Sequence, residues 1–128
     1  MKNEAKLWLD YSRENYESAN ILLKSGLFNP CLQNVQQCVE KALKSLFIER
    51  SLILKKTHSI IELKNILEKN GIIIDLTEDE CDFLDSIYLP SKYPLCNVLP
   101  SFEPNNDLCN KGISIAKSVL ASIQEIIK

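Results

Sequence analysis

Apolar residues in this chain recur at three- and four-residue steps through nearly its whole length. That spacing stacks them on one face of an α-helix and leaves little for a sheet to use. Trp8, Ser12, Tyr16, Ala19, Leu22 and Leu23 make the stripe of a first helix predicted from about Asn3 to Ser25, with Gly26 as its left-handed stop. Asn29 and Pro30 read as an N-cap and a first helical residue. They open a second helix to about Arg50, with Leu32, Val35, Val39, Ala42, Leu43 and Leu46 facing the core. Ser59 with Glu62 has the form of a capping box, Thr57 being the alternative cap, and starts a third helix that stops at Gly71. A second box, Thr77 with Glu80, opens a fourth helix through about Ile87. The β-branched run between these helices, residues 72–75, has no partner strand and reads as an extended connection. In the last helix Leu108, Ala116, Val119, Leu120, Ile123 and Ile127 share a side. Gly112 near its start costs about 1 kcal/mol of helix propensity, which a close backbone approach would justify. The expected fold is all-α: an up-and-down antiparallel bundle of about five helices, forming a single domain over residues 1–128.

Composition narrows the function. The chain is 45% hydrophobic and 25% charged, which supports a buried core, and its net charge of -2 argues against binding nucleic acid through a general basic surface. A local basic patch stays open. The N-terminus is charged every few residues, and no segment approaches the ~20 apolar residues of a membrane span, so a cytoplasmic protein is expected. Five cysteines without a C-x-x-C pair make neither a disulfide framework nor a zinc site. Cys31 and Cys38 share a helix face as small hydrophobes. With 3 glycines and no G-x-x-x-x-G-K-[ST] loop, backbone cannot cradle a nucleotide, and side chains would have to bind it. No cofactor is expected.

The groups that could carry chemistry fall in three places. Gln36, Glu40 and Lys44 are spaced by four and stack in one row on the second helix, with Gln37 and Lys41 beside them. The row is either a solvated face or a polar wall lining a cleft or a subunit interface. His58, the only histidine, is either a packing or capping residue at a helix start or a group that exchanges protons near neutrality. It cannot hold a metal without further ligands. Finally, four of the 5 prolines, Pro90, Pro94, Pro100 and Pro104, crowd one stretch with Tyr88 and Tyr93. Pro90 and Pro94 stiffen the chain around Lys92, presenting a cation with two phenol rings, a set suited to phosphate and base recognition. Alternatively, the tyrosines plug the open end of the bundle.

The sequence of segments "CLQNVQQCVEKALKSLF", "KKTHSIIELKNIL" and "IYLPSKYP", followed by a long apolar helix, resembles the HEPN family, the higher eukaryotes and prokaryotes nucleotide-binding domain. "WLDYSRENYESANILLKSGLFNPCL" is similar to that family's first helix and turn. The resemblance implies a bundle that forms a homodimer near a shared cleft, around which Glu40, Lys44, Thr57, His58, Lys92, Tyr93 and Pro94 gather. Many HEPN proteins are metal-independent ribonucleases with an R-x4-6-H motif; here Arg50 stands too far before His58, with residues 51–57 between them. Lys92 stands where the family usually has arginine and lacks that side chain's planar fork. The resemblance thus implies a non-catalytic nucleotide- or partner-binding module, with a small nucleotidyltransferase as partner in a toxin-antitoxin-type pair. Two alternatives stay open: an endoribonuclease toxin using His58, with RNA as substrate, and a purely structural adaptor. The expected cleft residues are Gln36, Glu40, Lys44, Thr57, His58, Tyr88, Lys92 and Tyr93, with no metal ligand among them.

Overall fold

The computed structural model describes residues 1–92 and 103–127, with residues 89–92 described through their backbone alone. Among these residues the fold is all-α: α1 Asn3–Lys24, α2 Phe28–Glu49, α3 Ile60–Lys69, α4 Glu78–Lys92 and α5 Asn106–Ile126. No described helix is long and apolar enough to cross a membrane.

The central helix is α2, which packs against each of the other four and most extensively against α1. Its Cys31, Leu32, Val35, Cys38, Val39, Ala42, Leu43, Leu46 and Phe47 are all fully buried. Each large apolar side chain removed from water contributes about 1.5–3 kcal/mol. The α5 helix approaches α2 at Gly112, where an added Cβ would lie 3.0 Å from a Val35 methyl. That close approach is the reason a glycine sits in a helix. Between α3 and α4 the chain is extended, and its alternation buries Ile72, Ile74 and Leu76 while leaving Ile73 outside.

The helix ends follow the local chemistry. Gly26 and Gly71 adopt positive φ after α1 and α3. In each case the next N–H reaches back five residues, Leu27 to the Leu22 carbonyl and Ile72 to the Leu67 carbonyl, both at 2.9 Å. The same closure ends α2, where Leu52 N–H meets the Phe47 carbonyl at 2.8 Å, but there a serine, Ser51, takes the left-handed position. Thr77 and Glu80 form a reciprocal box: Glu80 Oε1 accepts from Thr77 N–H at 2.9 Å, and Thr77 Oγ1 accepts from Glu80 N–H at 3.1 Å. Asn105 caps α5 through Leu108 N–H.

Three expectations need correction. Residues Asn29 and Pro30 do not start α2: it begins at Phe28, with Leu27 at the N-cap position and no side-chain cap. The closure of α1 places Leu27 directly at the entry to α2, so Pro30 falls within the first turn, where an N–H has no intrahelical acceptor in any case. The buried stripe of α1 is led by Ala5, Leu9, Ser12 and Ala19, not by Trp8. Trp8 lies at the edge instead, in a mostly apolar groove with Leu7, Tyr11, Glu4 and Lys41. The α4 helix continues past Ile87 through Pro90 to Lys92, although a proline has no N–H to donate to the turn before it.

Candidate functional site

The row Gln36, Glu40 and Lys44 is buried, with 1%, 4% and 8% of its surface exposed. Such a set is tolerable only when every donor and acceptor is matched. Glu40 is its hub. Its Oε2 accepts from Lys44 Nζ at 3.0 Å, and its Oε1 from Gln36 Nε2 at 3.1 Å. Gln37 Nε2 donates to Gln36 Oε1 at 2.9 Å and extends the chain of polar contacts. Lys41 turns away, donating to Asn15 Oδ1 at 2.9 Å, while Asn15 Nδ2 donates to Asn34 Oδ1.

His58 completes the hub from the loop before α3. Its Nδ1 lies 3.1 and 3.2 Å from the two Glu40 oxygens. A carboxylate only accepts, so Nδ1 carries the proton and Nε2 is left on the opposite side of the ring. The His58 side chain is 55% exposed against 6% for Glu40, so a buried acid holds an accessible imidazole. Burial works to raise the Glu40 carboxyl, but hydrogen bonds from Lys44, Gln36 and His58 outweigh it and hold the group below its ordinary range. Thr57 shapes the approach, its Oγ1 accepting from Ser59 N–H at 3.1 Å, and Gln36 Nε2 also reaches the His58 carbonyl at 3.3 Å.

On its outer face the imidazole stacks on Tyr88, with ring centroids 4.7 Å apart and planes 15° from parallel. Beside the stack is a small open pocket of about 190 Å³ lined by His58, Ser59, Asp85 and Tyr88. The Asp85 carboxylate reaches from α4 to the start of α3, with Oδ1 accepting from Ile60 N–H at 2.6 Å. Burial pushes its carboxyl above the ordinary value, against the pull of the backbone donors.

The structure therefore gathers Gln36, Glu40, Lys44, Thr57, His58 and Tyr88 into one place. Lys92 ends α4 one turn beyond Tyr88, described through its backbone alone, and Tyr93 and Pro94 lie outside the described residues. Asp85 was not among the sequence candidates; its one signal was position, one turn before Tyr88 on the same helix face. Among the described residues no group of three or more His, Cys, Asp or Glu is placed to hold a metal ion.

Fold and site together define a small helical bundle with a polar cleft where α2, α3 and α4 meet. The model of the HEPN domain matches residues 5–126, and the chain belongs to that family. The crystal structure of TT1696 from Thermus thermophilus superposes with a TM-score of 0.80 at 27% identity, covering 97% of this chain and 98% of that one. The crystal structure of ST0689, an archaeal HEPN homologue, gives 0.74 at 27% identity over 100% of both chains. "Putative toxin MJ1304" from Methanocaldococcus jannaschii is 36% identical over 52 residues, 41% of this chain and 34% of that protein. The chain thus aligns with about a third of the length of that curated relative.

Proposed function

We propose that this HEPN domain is a non-catalytic binding module of a toxin-antitoxin-type pair, taking a nucleotide or nucleotide-bearing partner at the His58–Tyr88 cleft. It works as a homodimer, with a small nucleotidyltransferase as its partner. The observation that carries this reading is the Glu40 hub: a buried, fully matched polar set that holds an exposed imidazole flat on a phenol ring. Such a platform suits a base, since base–aromatic stacking is worth about 1–3 kcal/mol per base. The toxin name of the M. jannaschii relative supports the system class.

The ribonuclease reading draws on the same pair, because a carboxylate-held histidine is also how a general acid/base is oriented. Two observations favour binding over cleavage. Arg50 stands ten residues beyond Glu40, about 15 Å along the helix axis, so within one chain it does not face His58. Lys44 is buried and committed to Glu40. Calorimetric titration with the four nucleoside monophosphates tests the proposal: saturable binding to the wild type, weakened roughly tenfold or more in Tyr88→Leu, is expected from the loss of one stacking contact. Equal binding by both proteins, or binding by neither, would place the function elsewhere.

A further inference from the structure

We infer that Asp85 is the positioning residue of this site, clamping the start of α3 to α4 and so setting the His58 ring on Tyr88. The inference rests on the reading of that ring pair as the ligand platform.

The first amides of a helix have no partner within it. Here Ile60 N–H and Ile61 N–H both donate to Asp85, at 2.6 and 3.3 Å, and Ser59 Oγ donates to it at 3.3 Å. Ser59 meanwhile accepts from Glu62 N–H at 3.3 Å, so the opening turn of α3 is closed by its own serine and by a carboxylate from another helix. The connection to the rings is short on both sides. Ser59 directly follows His58, and Asp85 precedes Tyr88 by one turn on the same face of α4.

A change in the α3–α4 contact therefore passes to the ring pair through one residue on one side and one turn on the other. The Glu40 and Gln36 contacts hold His58 from the α2 side, whereas Asp85 reaches the adjoining Ser59 from α4. Ser59 and Thr57 take the Glu62 and Ser59 amides, so the Ile60 and Ile61 amides depend on the acid from α4, and the first turn of α3 is tied to that helix.

His58 is the only histidine, so its imidazole C–H protons give an unambiguous NMR signal. In the ligand-free wild type that signal is expected upfield, because the ring lies over the face of Tyr88, and Tyr88→Leu supplies the unstacked position. Asp85→Ala is expected to move the signal most of the way to the Tyr88→Leu position. Asp85→Asn, which keeps an oxygen for Ile60 N–H, should stay closer to the wild type. Thr77→Ala removes a cap at the far side of α4 and should leave the signal in place, although it destabilises the protein. A folded Asp85→Ala whose His58 signal matches the wild type overturns the inference. Should Asp85→Ala not fold, Asp85→Ser, whose shorter side chain cannot reach the Ile60 and Ile61 amides, takes its place, and an unshifted signal there overturns the inference, as does identity of the wild-type and Tyr88→Leu signals. No nucleotide enters this measurement, so a shift on Asp85→Ala together with no nucleotide binding would sink the function and keep the clamp.

Discussion

Replacing Glu40 by alanine removes one acceptor from three neighbours at once. Lys44, Gln36 and His58 lose partners at 3.0, 3.1 and 3.1 Å. The costly loss is at Lys44, whose side chain is 10% exposed and would keep an ammonium group without a counter-charge. Breaking a buried pair from one side costs about 3–5 kcal/mol. His58 adds little, because its half-exposed ring can turn to water. Lys44→Met is milder: the carboxylate keeps Gln36 and His58, and a loss of about 1–3 kcal/mol is expected from the missing charged hydrogen bond. Combining Glu40→Ala with Lys44→Met removes both charges together, and the double variant should be less destabilised than the summed singles by about 1–3 kcal/mol. Urea unfolding at neutral pH reads these losses as shifts in midpoint at constant slope. A loss under about 1 kcal/mol in Glu40→Ala, or strict additivity in the pair, would refute the buried hub.

Acid should expose the same group. Because Glu40 is held below its ordinary value of 4.5, the unfolded chain takes up the proton first; its contribution is complete above that pH and is lost as the pH falls toward the folded value. Glu40→Gln should therefore flatten the acid limb of a stability profile, and an unchanged limb would contradict it. Ser51 holds φ at 54° where glycine would be unstrained, so Ser51→Gly is expected to raise stability by up to about 1 kcal/mol in the same urea assay, despite glycine's entropy. Gly112→Ala should lower stability although alanine is the better helix former, since the new methyl meets fully buried Val35 at 3.0 Å. A gain in melting temperature would mean that α5 can move off α2.

Much of the bundle was legible because helix signals are local. The Thr77–Glu80 box closes reciprocally, as its spacing implies. The Ser59–Glu62 box closes on one side only, because Glu62 turns to Lys55 at 3.3 Å. In α1 Ser12 and Ala19 are buried as the stripe implies, but Leu9 joins them and Trp8 falls at the edge, and periodicity alone does not resolve which flank of a stripe is covered.

For the candidate site the row was legible and its burial was not. Spacing by four places Gln36, Glu40 and Lys44 in line on any helix. What buries them is the packing of α1, α3 and α4 around α2, and that depends on contacts far apart in sequence. Asp85 was invisible for the same reason: its partners are backbone amides near residue 60, and an amide leaves no trace in a side-chain pattern.

The central claim is binding without cleavage, and one measurement tests it directly: labelled single-stranded RNA incubated in chelator with wild-type protein and with His58→Ala, followed for complex and for product. The account expects a saturable complex with the wild type, weaker in His58→Ala, and no product from either. Product formed by the wild type and lost in His58→Ala would make His58 a catalytic acid/base and the protein a ribonuclease.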